Sequence, residues 1–244
     1  MTNLVAHWDR RAEHYDETPG NSLTPEQAAA WTSLLAEVFA VRSGRLLDIG
    51  CGTGTYTLLC AGLGFDVHGV DTSERMLARA REKALGRRAP DGEGRTVTFS
   101  RLDAENAENA ENAENAENTA SAVDAASAEG TEEPAGIGGP YDAVFSRNVL
   151  WTIADPGRLA ETVAAHTTAS AVWVAVETIW DGRPNGDFRE AGKELPGFGG
   201  WHPNVLRDVF VRHGFAGTTW SGISNRPELA TADQDLHVMF RVSR

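Results

Sequence analysis

The hydrophobic pattern along the chain alternates between short apolar runs and longer amphipathic stretches. The apolar runs at 45–49, 65–70, 141–146 and 171–178 have the length of β-strands. Between them, stretches such as 25–42 repeat apolar residues at three- and four-residue spacing, which predicts helices with one buried face. Strands that alternate with helices predict an α/β fold built on a mostly parallel sheet.

Seven strands and six helices follow from this pattern. The last strands lie close together near the end of the chain and predict a closing hairpin-like pair. The predicted strands are 45–49, 67–70, 95–102, 141–146, 171–178, 215–220 and 236–242, and the predicted helices are 4–17, 25–42, 56–64, 73–85, 155–166 and 203–213.

A glycine-rich turn follows the first predicted strand, where the sequence reads GCGTG at 50–54. A turn of this kind between a strand and a helix brings backbone N–H groups close to a ligand. Asp71 stands 21 residues after Gly50, at the end of the next predicted strand. A carboxylate there can accept hydrogen bonds from both hydroxyls of a ribose. The two features predict a nucleoside-containing cofactor at the carboxyl ends of parallel strands.

Two cofactor classes fit this outline, and the glycine loop distinguishes them. A dinucleotide loop reads G-x-G-x-x-G, whereas here Thr55 takes the place of the third glycine. Asp48 stands two residues before the loop, where its negative charge would repel a pyrophosphate but suit an ammonium group. The loop therefore favours S-adenosylmethionine over NAD, and an NAD(P)-dependent oxidoreductase is the alternative.

The segments LLDIGCGTG and GVDTSERMLARAR resemble the glycine loop and the following acidic strand of class I S-adenosylmethionine-dependent methyltransferases. The resemblance implies a Rossmann-like fold with seven strands and helices on both faces. It also implies that Asp103 meets the adenine amino group and that the backbone after the fourth strand meets the methionyl group. The expected cofactor-binding residues are Tyr15, Asp48, Gly50, Cys51, Gly52, Thr55, Asp71, Thr72, Met76, Asp103, Ala104, Ser146 and Arg147.

The N-terminal segment HWDRRAEHYDE is similar to the W-x-x-x-A-x-x-Y-D start of many small-molecule methyltransferases. This resemblance implies that residues 1–42 form a helical cap whose first part folds over the cofactor as a lid, with Tyr15 reaching it. The alternative is that Trp8 and Tyr15 only pack a terminal helix against the core.

Methyl transfer from a sulfonium is an in-line displacement, so the enzyme chiefly supplies proximity and alignment. A general base helps only where the nucleophile arrives protonated. The candidates are Glu177, near the end of the fifth predicted strand, and His7 and His14, which share one face of the predicted first helix. For each of them, an ordinary surface or helix-end residue is the favoured interpretation. The acceptor is expected to lie against a substrate loop at 179–203 and the side chains of Trp8, Trp151, Trp180, Trp201 and His202.

The net charge of −13 is concentrated in one segment. Residues 104–139 hold nine acids and no Lys or Arg, which leaves 26 acids against 22 bases, a net charge of −4, elsewhere. Five Ala-Glu-Asn units fill 104–118, and a period of three fits neither a helix nor a strand. Residues 106–138 are therefore interpreted as a solvated insertion in a single domain of 1–244. An acidic docking segment for a basic partner is the alternative.

Composition restricts the other partners. The body of the chain has no basic stripe for nucleic acid, and no apolar run reaches membrane-spanning length. Cys51 and Cys60 form no metal-ligand pattern, and Arg147 and Asn148 replace the acid of a magnesium-dependent methyltransferase. We expect no metal and a cytoplasmic location, since the N-terminus is charged and unlike a signal peptide.

Together these patterns predict a methyltransferase that acts on an O, N or S nucleophile of a small molecule, in secondary-metabolite or antibiotic biosynthesis. A catalytically silent cofactor-binding subunit is a further alternative. The sequence leaves the acceptor and the oligomeric state open.

Overall fold

The computed structural model describes residues 2–18, 21–39, 43–86, 95–107, 136–179, 195, 197, 200–216, 219–222, 229 and 236–243. One sheet contains seven strands in the order β3-β2-β1-β4-β5-β7-β6. The strands are β1 (Gly44–Ile49), β2 (Phe65–Asp71), β3 (Val97–Arg101), β4 (Tyr141–Arg147), β5 (Thr167–Ile179), β6 (Thr219–Gly222) and β7 (Leu236–Ser243). The helices are α1 (Thr2–Arg11), α2 (Pro25–Phe39), α3 (Thr55–Gly62), α4 (Glu74–Leu85), α5 (Pro156–Ala165) and α6 (Pro203–Arg212).

The first five strands run parallel, and β7 inserts antiparallel between β5 and β6. The predicted Rossmann-like α/β fold, with its closing antiparallel pair, is therefore confirmed. The chain passes from β1 outward through β2 to β3 and then returns to the other side of β1 to form β4. Ligands of such sheets bind at this switch point, beyond the carboxyl ends of the strands.

Strand residues alternate between two hydrophobic clusters, one on each face of the sheet. Leu47 and Trp173 pack with α5 and α6, whereas their neighbours Leu46 and Val174 pack with α2 and α3. This period of two, with helices covering both faces, explains why the strands read as continuous apolar runs. α2 begins in a capping box, in which Thr24 Oγ1 accepts from Gln27 N at 3.2 Å and Gln27 Oε1 accepts from Thr24 N at 3.0 Å.

The first helix is shorter than its pattern predicts. α1 ends at Arg11, the chain turns, and a single 3₁₀ turn covers Tyr15–Glu17. The turn buries Ala12 and brings the Tyr15 ring edge-on to Trp8, with 6.2 Å between ring centroids. The common helical face predicted for His7 and His14 is therefore wrong.

The sixth strand begins later than predicted, at Thr219 instead of 215. Phe215 is buried, and its backbone N–H donates to Phe210 O at 3.0 Å as the chain leaves α6 through Gly214. The Phe215 ring packs with Phe210 and Trp173, so this residue completes the core instead of extending the sheet.

Both ends of the predicted insertion are packed. Ala107 and Ile137 are buried in the same core cluster, so folded protein extends into the 106–138 range from each side. Residues 108–135, Trp180 and most of the predicted substrate loop lie outside the described residues. The helices in the described ranges are each too short or too polar to cross a membrane.

Candidate active site

A cleft opens at the carboxyl ends of β1, β2 and β4, between the glycine loop and the turn that follows β4. We call it the cofactor cleft. Its lining residues are Trp8, Tyr15, Ile49, Gly50, Gly52, Val70, Asp71, Thr72, Met76, Leu102, Asp103, Ala104, Arg147, Asn148, Val149, Thr152 and Ile153. An adjoining inner recess shares some of them and adds Asn21, Asp48, Cys51, Thr53, Thr55, Tyr56 and Phe145.

The glycine loop is fixed on one side and open on the other. The N–H groups of Gly50 and Cys51 both donate to Val70 O, at 2.8 and 3.0 Å, which ties the loop to β2. Gly50 has φ +65°, and a Cβ there would lie 2.3 Å from Val149 Cγ2. Gly52 has φ +55°, but a Cβ there would meet no heavy atom within 4 Å. The loop therefore presents its backbone at Gly52 to the cleft.

Asp71 accepts two hydrogen bonds from the backbone around the cleft. Its Oδ2 accepts from Gly52 N at 2.9 Å and its Oδ1 from Ser73 N at 2.8 Å. Burial raises the pKa of Asp71, and these N–H groups oppose that rise. An ionised carboxylate has about four acceptor positions, so Asp71 can accept a further hydrogen bond from a donor in the cleft.

Asp48 is a buried carboxylate in the inner recess. Thr57 Oγ1 donates to its Oδ2 at 2.5 Å. Burial raises the pKa of Asp48 to about 7, the Thr57 hydrogen bond opposes the rise, and the negative charge of Asp71 adds to it. Asp48 is therefore poised to ionise when a cation enters the recess.

Two residues of β5 hold the turn after β4 through hydrogen bonds. Glu177 is buried, and its Oε1 accepts from the N–H groups of Val149 and Leu150, both at 3.0 Å. Asn148 has φ 55°, and its Oδ1 accepts from Thr178 N at 3.1 Å and Thr178 Oγ1 at 2.9 Å. Burial raises the pKa of Glu177 to about 7 against the effect of the N–H groups. Glu177 supports the wall of the cleft and is not among its lining residues.

The N-terminal segment lies against α4 and the cleft. Trp8 and Tyr15 line the cleft, and Asp9 Oδ1 accepts from Ser73 Oγ at 2.6 Å, next to Asp71. Arg79, on α4, donates to Glu13 O at 3.0 Å. These contacts place residues 2–18 along one rim of the cleft.

A second set of contacts, the latch, joins the 3₁₀ turn to the glycine loop. Lys83 Nζ lies 2.7 Å from Asp16 Oδ2 and donates to Thr53 Oγ1 at 2.9 Å and Thr55 Oγ1 at 3.0 Å. Thr53 Oγ1 in turn donates to Asp16 Oδ1 at 2.7 Å. The latch therefore connects the N-terminal segment, the loop and α4 through one ammonium group.

The histidine candidates lie away from the cleft lining. His7 is buried with its ring edge-on to Trp8, at 5.0 Å between centroids. His14 is exposed, and its Nδ1 lies 3.1 Å from Glu17 Oε2, which raises the His14 pKa. His202 precedes α6, and its Nδ1 accepts from Asn204 N at 3.2 Å.

Among the described tryptophans predicted to contact the acceptor, Trp8 lines the cleft, whereas Trp151 and Trp201 do not. Trp151 is buried and touches Trp8 edge-on, at 6.2 Å between centroids, from behind the cleft surface. Trp201 donates from Nε1 to Leu150 O at 2.8 Å and packs against the core. Both side chains support the turn after β4 from outside the cleft.

Most of the predicted cofactor-binding residues lie together. The cofactor cleft contains Tyr15, Gly50, Gly52, Asp71, Thr72, Met76, Asp103, Ala104 and Arg147, and the inner recess adds Asp48, Cys51 and Thr55. Ser146 lines neither, because its fully buried Oγ accepts from Trp173 Nε1 at 3.1 Å on the core side. In the described ranges, no cluster of His, Cys, Asp and Glu side chains could hold a metal ion.

Sequence reasoning missed several residues of the cleft. Leu102 stands at a strand end and was recognisable from its place beside Asp103. Asn148 carried a weaker signal, because Asn tolerates positive φ at turns. No sequence signal marked Thr152, Ile153 or Asn21, because only the path of the folded chain brings them to the site.

Comparisons with known proteins agree with this geometry. A family profile described as a methyltransferase domain matches residues 22–217. A ubiquinone biosynthesis O-methyltransferase of Caulobacter sp. (strain K31) is 32% identical over 120 residues, which is 49% of this chain and 35% of that protein, so the chain spans about a third of this relative.

Solved structures show the same fold. A phosphoethanolamine N-methyltransferase of Haemonchus contortus in complex with S-adenosyl-L-methionine has a TM-score of 0.63 at 17% identity, over 97% of this chain and 57% of that one. The [4+2]-cyclase SpnF has a TM-score of 0.62 at 18% identity, and the match covers 100% of this chain and 94% of SpnF. The protein belongs to the class I S-adenosylmethionine-dependent methyltransferase family.

Proposed function

We propose that the protein transfers a methyl group to an O, N or S nucleophile of a small molecule, in secondary-metabolite biosynthesis. The observation that carries the proposal is the convergence of Gly52, Asp71, Asp103 and Arg147 on one cleft, with Trp8 at its rim. Family membership favours this reading over the oxidoreductase considered from the glycine loop alone.

The donors and acceptors of the two cavities fit S-adenosylmethionine from end to end. Asp71 offers carboxylate oxygens to the ribose hydroxyls, and Asp103 offers a carboxylate to the adenine amino group. Asp48, in the inner recess, suits the ammonium of the methionyl group. When bound, the cofactor supplies a methyl group already activated on a sulfonium.

Arg147 is assigned to the carboxylate of the methionyl group. It is the one basic side chain among the described residues that line both cavities, and its guanidinium lies 4.8 Å from the centroid of the Tyr56 ring. A guanidinium presents a planar fork of N–H donors that matches the two oxygens of a carboxylate. Asp48 and Arg147 would then hold the two charged groups of the amino acid on opposite sides.

The protein's own part in the reaction is alignment. The cleft surface left for the acceptor is formed by Trp8, Val149, Thr152 and Ile153. Glu177 fixes the backbone of the turn that begins at Val149. Holding a nucleophile in line with an activated methyl group accounts for most of the acceleration such enzymes need. Glu177 is therefore a positioning residue in this proposal, and His7 and His14 have no part in the reaction.

A direct test measures binding and turnover separately. Calorimetry with S-adenosylhomocysteine is expected to give one site per chain. Mass spectrometry of phenol, amine and thiol acceptor panels with S-adenosylmethionine is expected to detect a methylated product in one class. Absence of S-adenosylhomocysteine binding would overturn the site. Tight binding without turnover in any class would favour the alternative of a cofactor-binding subunit.

Cofactor affinity should depend on pH through Asp48. The ammonium requires the carboxylate form, so below pH 7, where Asp48 is protonated, binding must expel a proton. We expect the S-adenosylhomocysteine affinity to fall by about tenfold per pH unit below 7 and to level off above it. Asp48→Asn should bind more weakly at pH 8 and show a flatter profile. The same steepness in Asp48→Asn would contradict the role.

The latch should control how long the cofactor stays bound. Lys83→Met removes the ammonium shared by Asp16, Thr53 and Thr55. We expect S-adenosylhomocysteine to dissociate about fivefold faster, and added salt to speed release in the native protein but not in the variant. Stopped-flow fluorescence would measure both rates. The control is Arg207→Met, which breaks an exposed ion pair with Asp208 on α6. Equal rates in the native protein and Lys83→Met would refute the latch.

A further inference from the structure

The first Ala-Glu-Asn unit of the repeat is part of the folded site. Ala104 lines the cofactor cleft and is 6% exposed. Ala107, the first residue of the second unit, is 4% exposed and belongs to the core. The repeat therefore begins inside the domain, one residue after Asp103.

Each oxygen of the Asp103 carboxylate accepts one hydrogen bond from the first repeat unit. Asn106 Nδ2 donates to Asp103 Oδ2 at 2.9 Å, and Glu105 N donates to Asp103 Oδ1 at 3.1 Å. Asn106 N also donates to Asp103 O at 3.1 Å, which closes the turn. The amide of Asn106 is a neutral donor, so it orients the carboxylate without cancelling its charge. About two acceptor positions of Asp103 stay available to the cleft.

Glu105 connects this side of the cleft to the opposite wall. Its Oε2 accepts from Ala154 N at 3.0 Å, and its Oε1 accepts from Asp155 N at 2.9 Å. Ile153, the residue before Ala154, lines the cleft. One side chain therefore fixes the distance between the Asp103 turn and the segment that leads into α5.

We propose that the first repeat unit is a positioning element for the nucleoside end of the cofactor. Asn106 sets the direction of the Asp103 carboxylate, and Glu105 sets the width of the cleft beside it. The proposal rests on the proposed function, because it takes Asp103 as the partner of the adenine amino group. Asn106 and Glu105 are positioning residues that act through Asp103 and through the residue 152–155 segment.

The test compares two ligands that differ at the purine 6 position. S-adenosylhomocysteine carries an amino group there, whereas its inosine analogue carries a carbonyl oxygen, which a fixed carboxylate repels. We expect the native protein to prefer the adenine compound in calorimetry. Asn106→Leu should bind S-adenosylhomocysteine about tenfold more weakly, which is the effect of losing about one hydrogen bond. It should also lose most of the preference for the adenine compound over the inosine compound.

Glu105→Ala should lower the affinity for both ligands by the same factor, because it changes the width of the cleft and not the direction of the Asp103 carboxylate. The matched control is Asn109→Leu, the same change one repeat unit later, which should leave both affinities unchanged. Thermal unfolding of each variant would check that it folds.

Three outcomes decide the matter. Equal loss of both ligands in Asn106→Leu would overturn the positioning role in favour of a merely structural one. An Asn109→Leu effect equal to that of Asn106→Leu would overturn the special place of the first unit. Absence of S-adenosylhomocysteine binding in the native protein would instead refute the proposed function, which separates the two failures.

Discussion

Asp71→Ala is expected to lower the affinity for S-adenosylhomocysteine by about 100-fold or more. In the proposed site, the change removes two charge-assisted hydrogen bonds to the ribose, each expected to contribute about 1.5–3 kcal/mol. It also leaves the N–H groups of Gly52 and Ser73 without their acceptor, so the glycine loop loses its tie to β2 on the cleft side. Isothermal titration calorimetry would measure the loss.

Two variants bracket this result. Asp71→Asn keeps one acceptor oxygen and the size of the side chain, so we expect an intermediate affinity. Asp66→Ala is the matched control, because Asp66 lies at the other end of β2, where its Oδ1 accepts from Thr96 N at 2.9 Å. Asp66→Ala should leave the affinity intact. An unchanged affinity in Asp71→Ala would remove the basis of the cofactor assignment.

Gly50→Ala should destabilise the protein more than the same change at Gly52. The added Cβ meets Val149 Cγ2 at 2.3 Å while φ stays at +65°, so the variant combines backbone strain with overpacking. The two effects together cost about 3 kcal/mol of the free energy of unfolding. For a chain of this size we expect a Tm lower by about 10 °C in calorimetry.

The chain offers both a control and a rescue for this variant. At Gly52 the φ is similar, +55°, but an added Cβ would have no neighbour within 4 Å. Backbone strain alone should therefore lower the free energy of unfolding of Gly52→Ala, by about 1 kcal/mol. Adding Val149→Ala to Gly50→Ala removes both clashing Cγ atoms and should restore much of the stability. If Gly52→Ala proved as damaging as Gly50→Ala, contact with Val149 would not explain the effect.

The fold and the cofactor side of the cleft were predictable because the topology itself gathers them. Parallel strands end at one edge of a sheet, so residues that follow β1, β2 and β3, such as Gly50, Asp71 and Asp103, meet there whatever the intervening chain does. Local sequence was sufficient to find each of them.

Contacts between distant segments were not predictable in the same way. Thr53 meets Asp16 across 37 positions, and Val149 presses on Gly50, because the N-terminal segment and the turn after β4 fold back on the loop. The end of α1 at Arg11 depends on the burial of Ala12 in the same way. No pattern along the chain records where a turn will direct a side chain.

The repeat also shows how a low-complexity segment can keep its place in a folded domain. The five units have one sequence, so the gain or loss of whole units leaves Asp103 followed by Ala-Glu-Asn-Ala as long as two units remain. After a change in repeat number, the same residue types therefore still follow Asp103 and can pack beside it. A change in the number of units would therefore lengthen or shorten the chain within a few residues of the cofactor cleft without altering the residues that pack beside Asp103.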